Sequence, residues 1–408
     1  MKLLGVDIAP SPQRPGQVRL SGIVRYDDAR GGPAEETFWF EVPAALEPYL
    51  TASGNPWLAM LLPVAVVSGE PLVLSRPVDA SLLDNARDLL LTWRSWFPGD
   101  ARISIEADVD TTPARHDGEA RRTASFFSGG IDSFHTVLRP RAAPLDDLIL
   151  ALGSFDLAAA DDASLERVRT RMQRAADGLG KPLVAVTTNQ IRTRLVRTDP
   201  VRRSGLSMLA AIGLALERRY ARFLVSASID QHWKPARRDD ALVAQHLSTP
   251  RTRFEIEGMS ISRVEKTALV AACTAARDTL RVCFESGRED NCMACAKCIR
   301  TAIALEALGG LEHWPTFGGR SMTAARAARA TVTIPIERYY WRELPSFCRE
   351  RGREDLARAA EQVLARARRL DRFRPLVRWL RRFPAVAALT HRAEAIVQDV
   401  DPLSLPRR

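Results

Sequence analysis

Two groups of residues in this sequence have types and spacing suited to chemistry. The first is Ser128-Gly-Gly-Ile-Asp-Ser133, preceded by the small and aromatic run Thr123–Phe127 and followed by Phe134, Val137 and Leu138 on one helical face. That order reads as a buried strand, a glycine turn and a helix N-terminus. Gly129 and Gly130 let the backbone approach an anion closely, and the first helical turn supplies N–H donors at the positive end of its dipole. Ser128 and Ser133 add hydroxyl groups, and Asp132 can hold a magnesium ion or orient a phosphate. The Gly-Lys-Ser/Thr ending of the Walker loop is absent, so a pyrophosphate cradle of another kind is expected, formed by Ser128, Gly129, Gly130, Ile131, Asp132 and Ser133.

The second group is Cys283, Cys292, Cys295 and Cys298, the last three at CxxCxxC spacing. Four thiolates so placed can close a tetrahedral site around zinc, and four cysteines can also hold an iron–sulfur cluster. An all-sulfur shell points to a structural role. Cys283 ends an apolar, strand-like run from Thr279, and Cys298 leads into a helix over Ile299–Leu308, so the metal would clip a strand to a helix. Cys273 and Cys348 stand apart and read as ordinary buried thiols.

The elements that must position these groups follow a regular order. From residue 123, strands at Thr123–Phe127, Leu148–Leu152, Leu183–Thr187 and Arg222–Ser226 alternate with helices at 132–138, Asp161–Leu179 and Leu206–Tyr220. This alternation predicts an α/β fold, a doubly wound parallel sheet with ligands bound beyond the strands' carboxyl ends. The segments Ser128–Ser133, Gly153–Asp156 and Ser226–Asp230 each follow such an end, and Asp230 is a candidate substrate contact there. Ser260 or Ser262 caps a further helix. Its first turn carries Arg263 and Lys266, cations that oppose the helix dipole and so are expected to serve something anionic.

Residues 1–118 read as an appended α+β domain, 119–319 as the nucleotide domain with the cysteine site, and 320–408 as an arginine-rich helical tail. The first has strands at Lys2–Ile8, Gln17–Tyr26, Glu36–Val42 and Arg102–Ala107, with helices near Trp57–Val67 and Ser81–Trp96. Its tryptophans, Trp39, Trp57, Trp93 and Trp96, read as core. The tail has helical runs at Glu354–Leu370 and Leu376–Leu389, broken at Pro375 and Pro384, and a dense arginine cluster from Arg366 to Arg382.

The chain has 408 residues, 46% of them hydrophobic, and a formal net charge of +10 that sits mostly after residue 320. Arginine supplies nearly all of the positive charge, so nucleic acid is allowed without being indicated. The longest apolar run, Trp57–Val67, is too short to span a bilayer and contains Pro63. No signal-peptide core opens the sequence, and a cytoplasmic location is expected.

Ser-Gly-Gly-Ile-Asp-Ser resembles the SGGxDS signature of the PP-loop ATP pyrophosphatases, which cleave ATP between its α and β phosphates. Over residues 123–310 the order of parts is similar to the 7-cyano-7-deazaguanine synthases and their relatives. The resemblance implies ATP and Mg²⁺ at 128–133 and adenine near Gly153 and Phe155. It also implies a basic residue, Lys266 or Arg263, near the phosphates, and zinc on the four cysteines. It further implies adenylation of a carboxylate- or amide-type oxygen, followed by attack of ammonia or an amine. The segment 231–239 departs from those enzymes' substrate motif, and 1–118 and 320–408 have no counterpart in them, so the acceptor does not carry over. A tRNA sulfurtransferase, and a nucleotide sensor or protein-modifying component of a multi-protein system such as defence, are the alternatives. A protein partner docking on 1–118 or on the tail, and a homodimer, are expected.

Overall fold

A computed structural model describes residues 1–28, 32–110, 121–154, 161–199, 203–228, 241–283, 290–333 and 335–380. The chain packs as two compact units, one made of Met1–Ser128 with Arg139–Met259 and the other of Gly129–Leu138 with Ser260–Arg408.

The first unit is built on strands β1 (Lys2–Pro10), β2 (Gln17–Arg25), β3 (Glu35–Pro43), β4 (Leu72–Leu74), β5 (Val78–Asp79), β6 (Ile105–Glu106), β7 (Val109–Asp110), β8 (Arg122–Phe126), β9 (Asp147–Leu152), β10 (Leu183–Thr188), β11 (Tyr220–Ser226) and β12 (Arg253–Glu257). Ten of them form one sheet in the order β12-β11-β8-β9-β10-β3-β2-β1-β4-β6, and β5 pairs with β7 apart from it. From β12 to β10 every neighbouring pair is parallel. Numbered within that half, the order is 3-2-1-4-5, the doubly wound arrangement, and strand order reverses between β8 and β11. The α/β fold with a large, mostly parallel sheet is therefore present. β12 and β4 went unread in the sequence: β4 has only three residues, and β12 is short although Arg253–Glu257 alternates polar and apolar residues.

Apart from the β5-β7 pair, the strands of residues 1–118 do not form a sheet of their own. Thr187 and Thr188 of β10 pair antiparallel with Glu41 and Phe40 of β3, so the N-terminal meander β1-β2-β3 continues the parallel half. One hydrophobic core runs beneath both parts, from Met1 through Trp57 and Trp93 to Phe223 and Phe254. Helix Asn55–Ser68 explains the fusion. It is apolar on all sides, buries Pro56 through Val66, and packs against the equally apolar helix Gly205–Ala215. Pro63 lies inside this helix rather than ending it, because the packing on every side offsets the lost backbone bond. Trp57 and Trp93 are core as expected, whereas Trp39 is half-buried beneath the Arg19 guanidinium, 4.4 Å from its ring centroid.

Two buried positions in this unit carry predictions. Gly153, just after β9, has φ +73°, and a Cβ there would run into the Thr188 carbonyl oxygen. Gly153→Ala should therefore destabilise by about 2–5 kcal/mol in denaturant unfolding, combining left-handed strain with a backbone clash. Glu217 is buried and accepts from Asn55 Nδ2 at 3.0 and 3.2 Å and Ser53 Oγ at 3.2 Å. Burial pushes its carboxyl up despite these donors and the nearby Arg251. The stability this group contributes is complete below the unfolded carboxyl range, about pH 4.3, and is lost as pH rises through the raised folded value. Glu217→Gln should lose that decline, so the melting-temperature gap between variant and parent should shift in the variant's favour from pH 5 to pH 8. A constant gap would rule the assignment out.

The second unit is helical. Helices Ile131–Leu138, Arg263–Ala271, Thr274–Arg277, Ala296–Ala307, Pro335–Trp341, Leu344–Arg349 and Glu354–Leu380 make up most of it. The last helix runs through Pro375, where the sequence suggested a break. Thr279–Cys283 is not a strand: Thr279 lies in the turn after helix Thr274–Arg277, and Leu280–Cys283 lie outside any helix or sheet. Asn291 takes the place of a neighbouring strand, donating from Nδ2 to Leu280 O at 3.0 Å and accepting from Val282 N at 2.8 Å. Among the described residues no helix is long and apolar enough to cross a membrane.

Candidate phosphate site and metal centre

Strands β8, β9 and β11 are parallel and adjacent, so Ser128 and Gly153, which follow β8 and β9, and Ser226, the last residue of β11, lie at the strands' carboxyl ends in the first unit's sheet. β8 is the strand at which the sheet order reverses, the position where open α/β sheets hold ligands.

The glycine turn from Gly129 belongs to the second unit. Gly129 takes φ +73°, a conformation that favours glycine. Its carbonyl accepts from Arg281 N at 3.0 Å, which ties the turn to the segment leading into the cysteines. Gly130 O accepts from Phe134 N and from Ser133 Oγ, both at 3.0 Å, and so opens the helix. Ile131 and Phe134 anchor that helix in the interior. Its first N–H groups have no intrahelical acceptor, as in any helix.

Asp132 stands in that first turn and meets two cations. Arg263 NH1 donates to its Oδ2, and Lys266 Nζ lies 3.4 Å from its Oδ1. Asp132 is 15% exposed, Arg263 8% and Lys266 2%. Ser262 caps the helix that carries both cations, and with Glu265 it forms a reciprocal capping box, Ser262 N to Glu265 Oε2 at 2.8 Å and Glu265 N to Ser262 Oγ at 3.3 Å. The anion that Arg263 and Lys266 serve within the chain is thus Asp132. Burial opposes ionisation of Asp132, but the Arg263 guanidinium and the Lys266 ammonium outweigh it and hold the carboxyl well below the usual range. Burial likewise disfavours charge on Arg263, and the Asp132 carboxylate more than restores it.

Three further residues belong to this cluster, and the sequence reading missed them. Arg300 and Arg263 both lie over the Tyr340 ring, with guanidinium carbons 4.3 and 5.2 Å from its centroid. Arg300 NH1 is 3.3 Å from Glu337 Oε2, and both residues are buried. Burial pushes the Tyr340 hydroxyl up and the Arg300 guanidinium down. The signal available in the sequence was one charged residue in the mostly apolar run Ile299–Leu305, and a Glu337/Tyr340 pair at helical spacing.

The four cysteines converge. All four Sγ atoms lie within 4.8 Å of one another, with Cys292 and Cys298 Sγ 3.8 Å apart. A tetrahedron with metal–sulfur bonds of about 2.3 Å has an edge of about 3.8 Å, so the set fits a tetrathiolate-bound metal. Backbone N–H groups point at the sulfurs: Ala294 N and Cys295 N to Cys292 Sγ at 3.4 and 3.3 Å, and Cys298 N to Cys295 Sγ at 3.4 Å. Met293 adopts φ +53° to make this turn. The metal would join the irregular segment Leu280–Cys283 to the start of helix Ala296–Ala307, in place of the strand-to-helix clip expected. Of the two spare thiols, Cys348 is buried and Cys273 only half-buried.

Comparison with protein-family models, with characterised proteins and with solved structures returned no match. Of the remaining sequence candidates, Gly153 sits in the first unit as a tight turn, and Phe155 and Asp230 lie outside the described residues.

Proposed function

We propose that the protein is an ATP-dependent adenylating enzyme of the carbon–nitrogen ligase type, with the nucleotide's phosphates at the Ser128–Ser133 turn. The observation that carries this reading is the cluster of Asp132, in the first turn of helix Ile131–Leu138, with the buried Arg263 and Lys266 of helix Arg263–Ala271. A helix N-terminus opened by glycines, with two buried cations and one carboxylate, suits a phosphate chain and its cation.

In this proposal Asp132 holds Mg²⁺, which would neutralise charge on the phosphate chain. Gly129, Gly130 and the helix N–H groups bind phosphate oxygens, and Arg263 and Lys266 stabilise charge that develops on the α-phosphate and the leaving pyrophosphate. An acceptor oxygen attacks the α-phosphorus as the bond to the bridging α–β oxygen breaks, giving an adenylate and pyrophosphate. Ammonia or an amine then displaces AMP, losing a proton as the C–N bond forms. The acceptor is a carboxylate or amide oxygen, with a 7-deazaguanine as the first candidate. Zinc is the metal proposed for Cys283, Cys292, Cys295 and Cys298, in a structural role.

The test incubates metal-loaded protein with α-labelled MgATP and 7-carboxy-7-deazaguanine, with and without ammonium. AMP that requires the deazaguanine supports both the reaction class and the acceptor. A folded, metal-loaded protein that binds no ATP and forms no AMP with any candidate acceptor overturns the proposal.

A further inference from the structure

The Arg300 guanidinium is buried without using its donors. Nε, NH1 and NH2 have no hydrogen-bond partner among the described residues, and the residue is only 2% exposed. Glu337 is its counter-ion by distance, but Glu337 Oε2 is also without a hydrogen bond. Buried polar groups are nearly always paired, and leaving several donors of one guanidinium unsatisfied is costly. The surroundings indicate what is missing. Arg263, Lys266 and Lys297 act on the same Asp132 carboxylate, and Arg300 shares the Tyr340 ring with Arg263. Among the described residues the buried cations Arg263, Lys266 and Arg300 outnumber the carboxylates Asp132 and Glu337, an imbalance that an anionic ligand removes. A planar guanidinium with parallel N–H groups matches phosphate geometry better than an ammonium does.

We propose that Arg300 is a phosphate-binding residue of the glycine-turn site, and that Glu337, on helix Pro335–Trp341, competes with the ligand for the same guanidinium. This deepens the ATP reading and rests on it. In the ligand-free protein Glu337 keeps Arg300 from being an uncompensated buried charge. A phosphate oxygen that reaches Arg300 gives it the hydrogen bonds that Glu337 does not.

The experiment titrates wild type, Arg300→Gln, Arg300→Lys, Glu337→Gln and the Arg300→Gln/Glu337→Gln double variant. The titrants are inorganic pyrophosphate and, separately, ATP, by calorimetry at fixed ionic strength, with melting curves as the check on folding. The two titrants separate a phosphate chain held by itself from one held only as part of a nucleotide. Arg300→Gln should weaken binding about tenfold or more, and Arg300→Lys should recover part of that loss. Glu337→Gln should tighten binding about three- to tenfold, and the gain should vanish in the double variant. Damage to packing alone does not tighten binding, so Glu337→Gln decides the matter even where Arg300→Gln folds poorly. Wild type that binds neither titrant defeats the ATP reading. Wild-type binding that Arg300→Gln leaves unchanged, or that Glu337→Gln leaves unchanged or weakens, defeats this inference alone.

Discussion

Asp132→Ala should cost about 3–5 kcal/mol of stability, because it leaves Arg263 and Lys266 buried beside each other without the carboxylate that compensates them. Asp132→Asn should fall in the same direction, since an amide supplies no charge. Both variants should also lose ATP-dependent AMP formation if Asp132 holds the phosphate-bound cation. The pH profile separates this pair from general acid effects. A depressed carboxyl contributes stability that is present above its unfolded value, near pH 3.9, and that is lost as pH falls through the lower folded value. The parent should therefore lose stability in that acid window, and Asp132→Asn should not. Unfolding by denaturant between pH 2.5 and 6 tests this, and parallel curves for parent and variant would refute the assignment.

Removing the metal should have the other large effect. Apparent binding free energies of about 10–16 kcal/mol for structural zinc make a tetrathiolate site decisive for its surroundings. Chelation, or Cys298→Ser, should release the segment before Cys283 from the start of helix Ala296–Ala307. Two consequences should follow within the helical unit. Amide exchange in Ala296–Ala307 should accelerate, and so should exchange at Arg281, whose N–H donates to Gly129 O. The phosphate turn would thus loosen although the metal does not touch it. Metal analysis before and after chelation, followed by hydrogen-exchange mass spectrometry, reads both effects. Unchanged protection at these amides in metal-free protein would show that the cysteines are not structural.

Much of this molecule was legible because its determinants are local. The βα alternation from residue 123, the glycine turn with its helix start, the capping serine at 262 and the CxxCxxC run are all set by residue type at short spacing. Each has its physical cause within one or two turns of chain. The placement of two cations against the helix dipole likewise forecast an anionic partner, and Asp132 is one.

The rest depends on groups far apart in sequence. Nothing near Glu41 or Thr187 announces that β3 and β10 pair, or that residues 1–118 extend the same sheet. Pro375 reads as a helix break by its own chemistry, yet it lies within a helix. Thr279–Cys283 has strand composition, but Asn291 satisfies its backbone in place of a partner strand. Arg300, Glu337 and Tyr340 look unremarkable singly and acquire meaning only where two helices bring them into the charge cluster of Asp132. The amino-acid order by itself determined the α/β class, the anion-suited turn and the cysteine set, since these follow from period and spacing. Tertiary structure alone decided the single sheet and the buried charge cluster, because burial and counter-ions are properties of what packs around a residue.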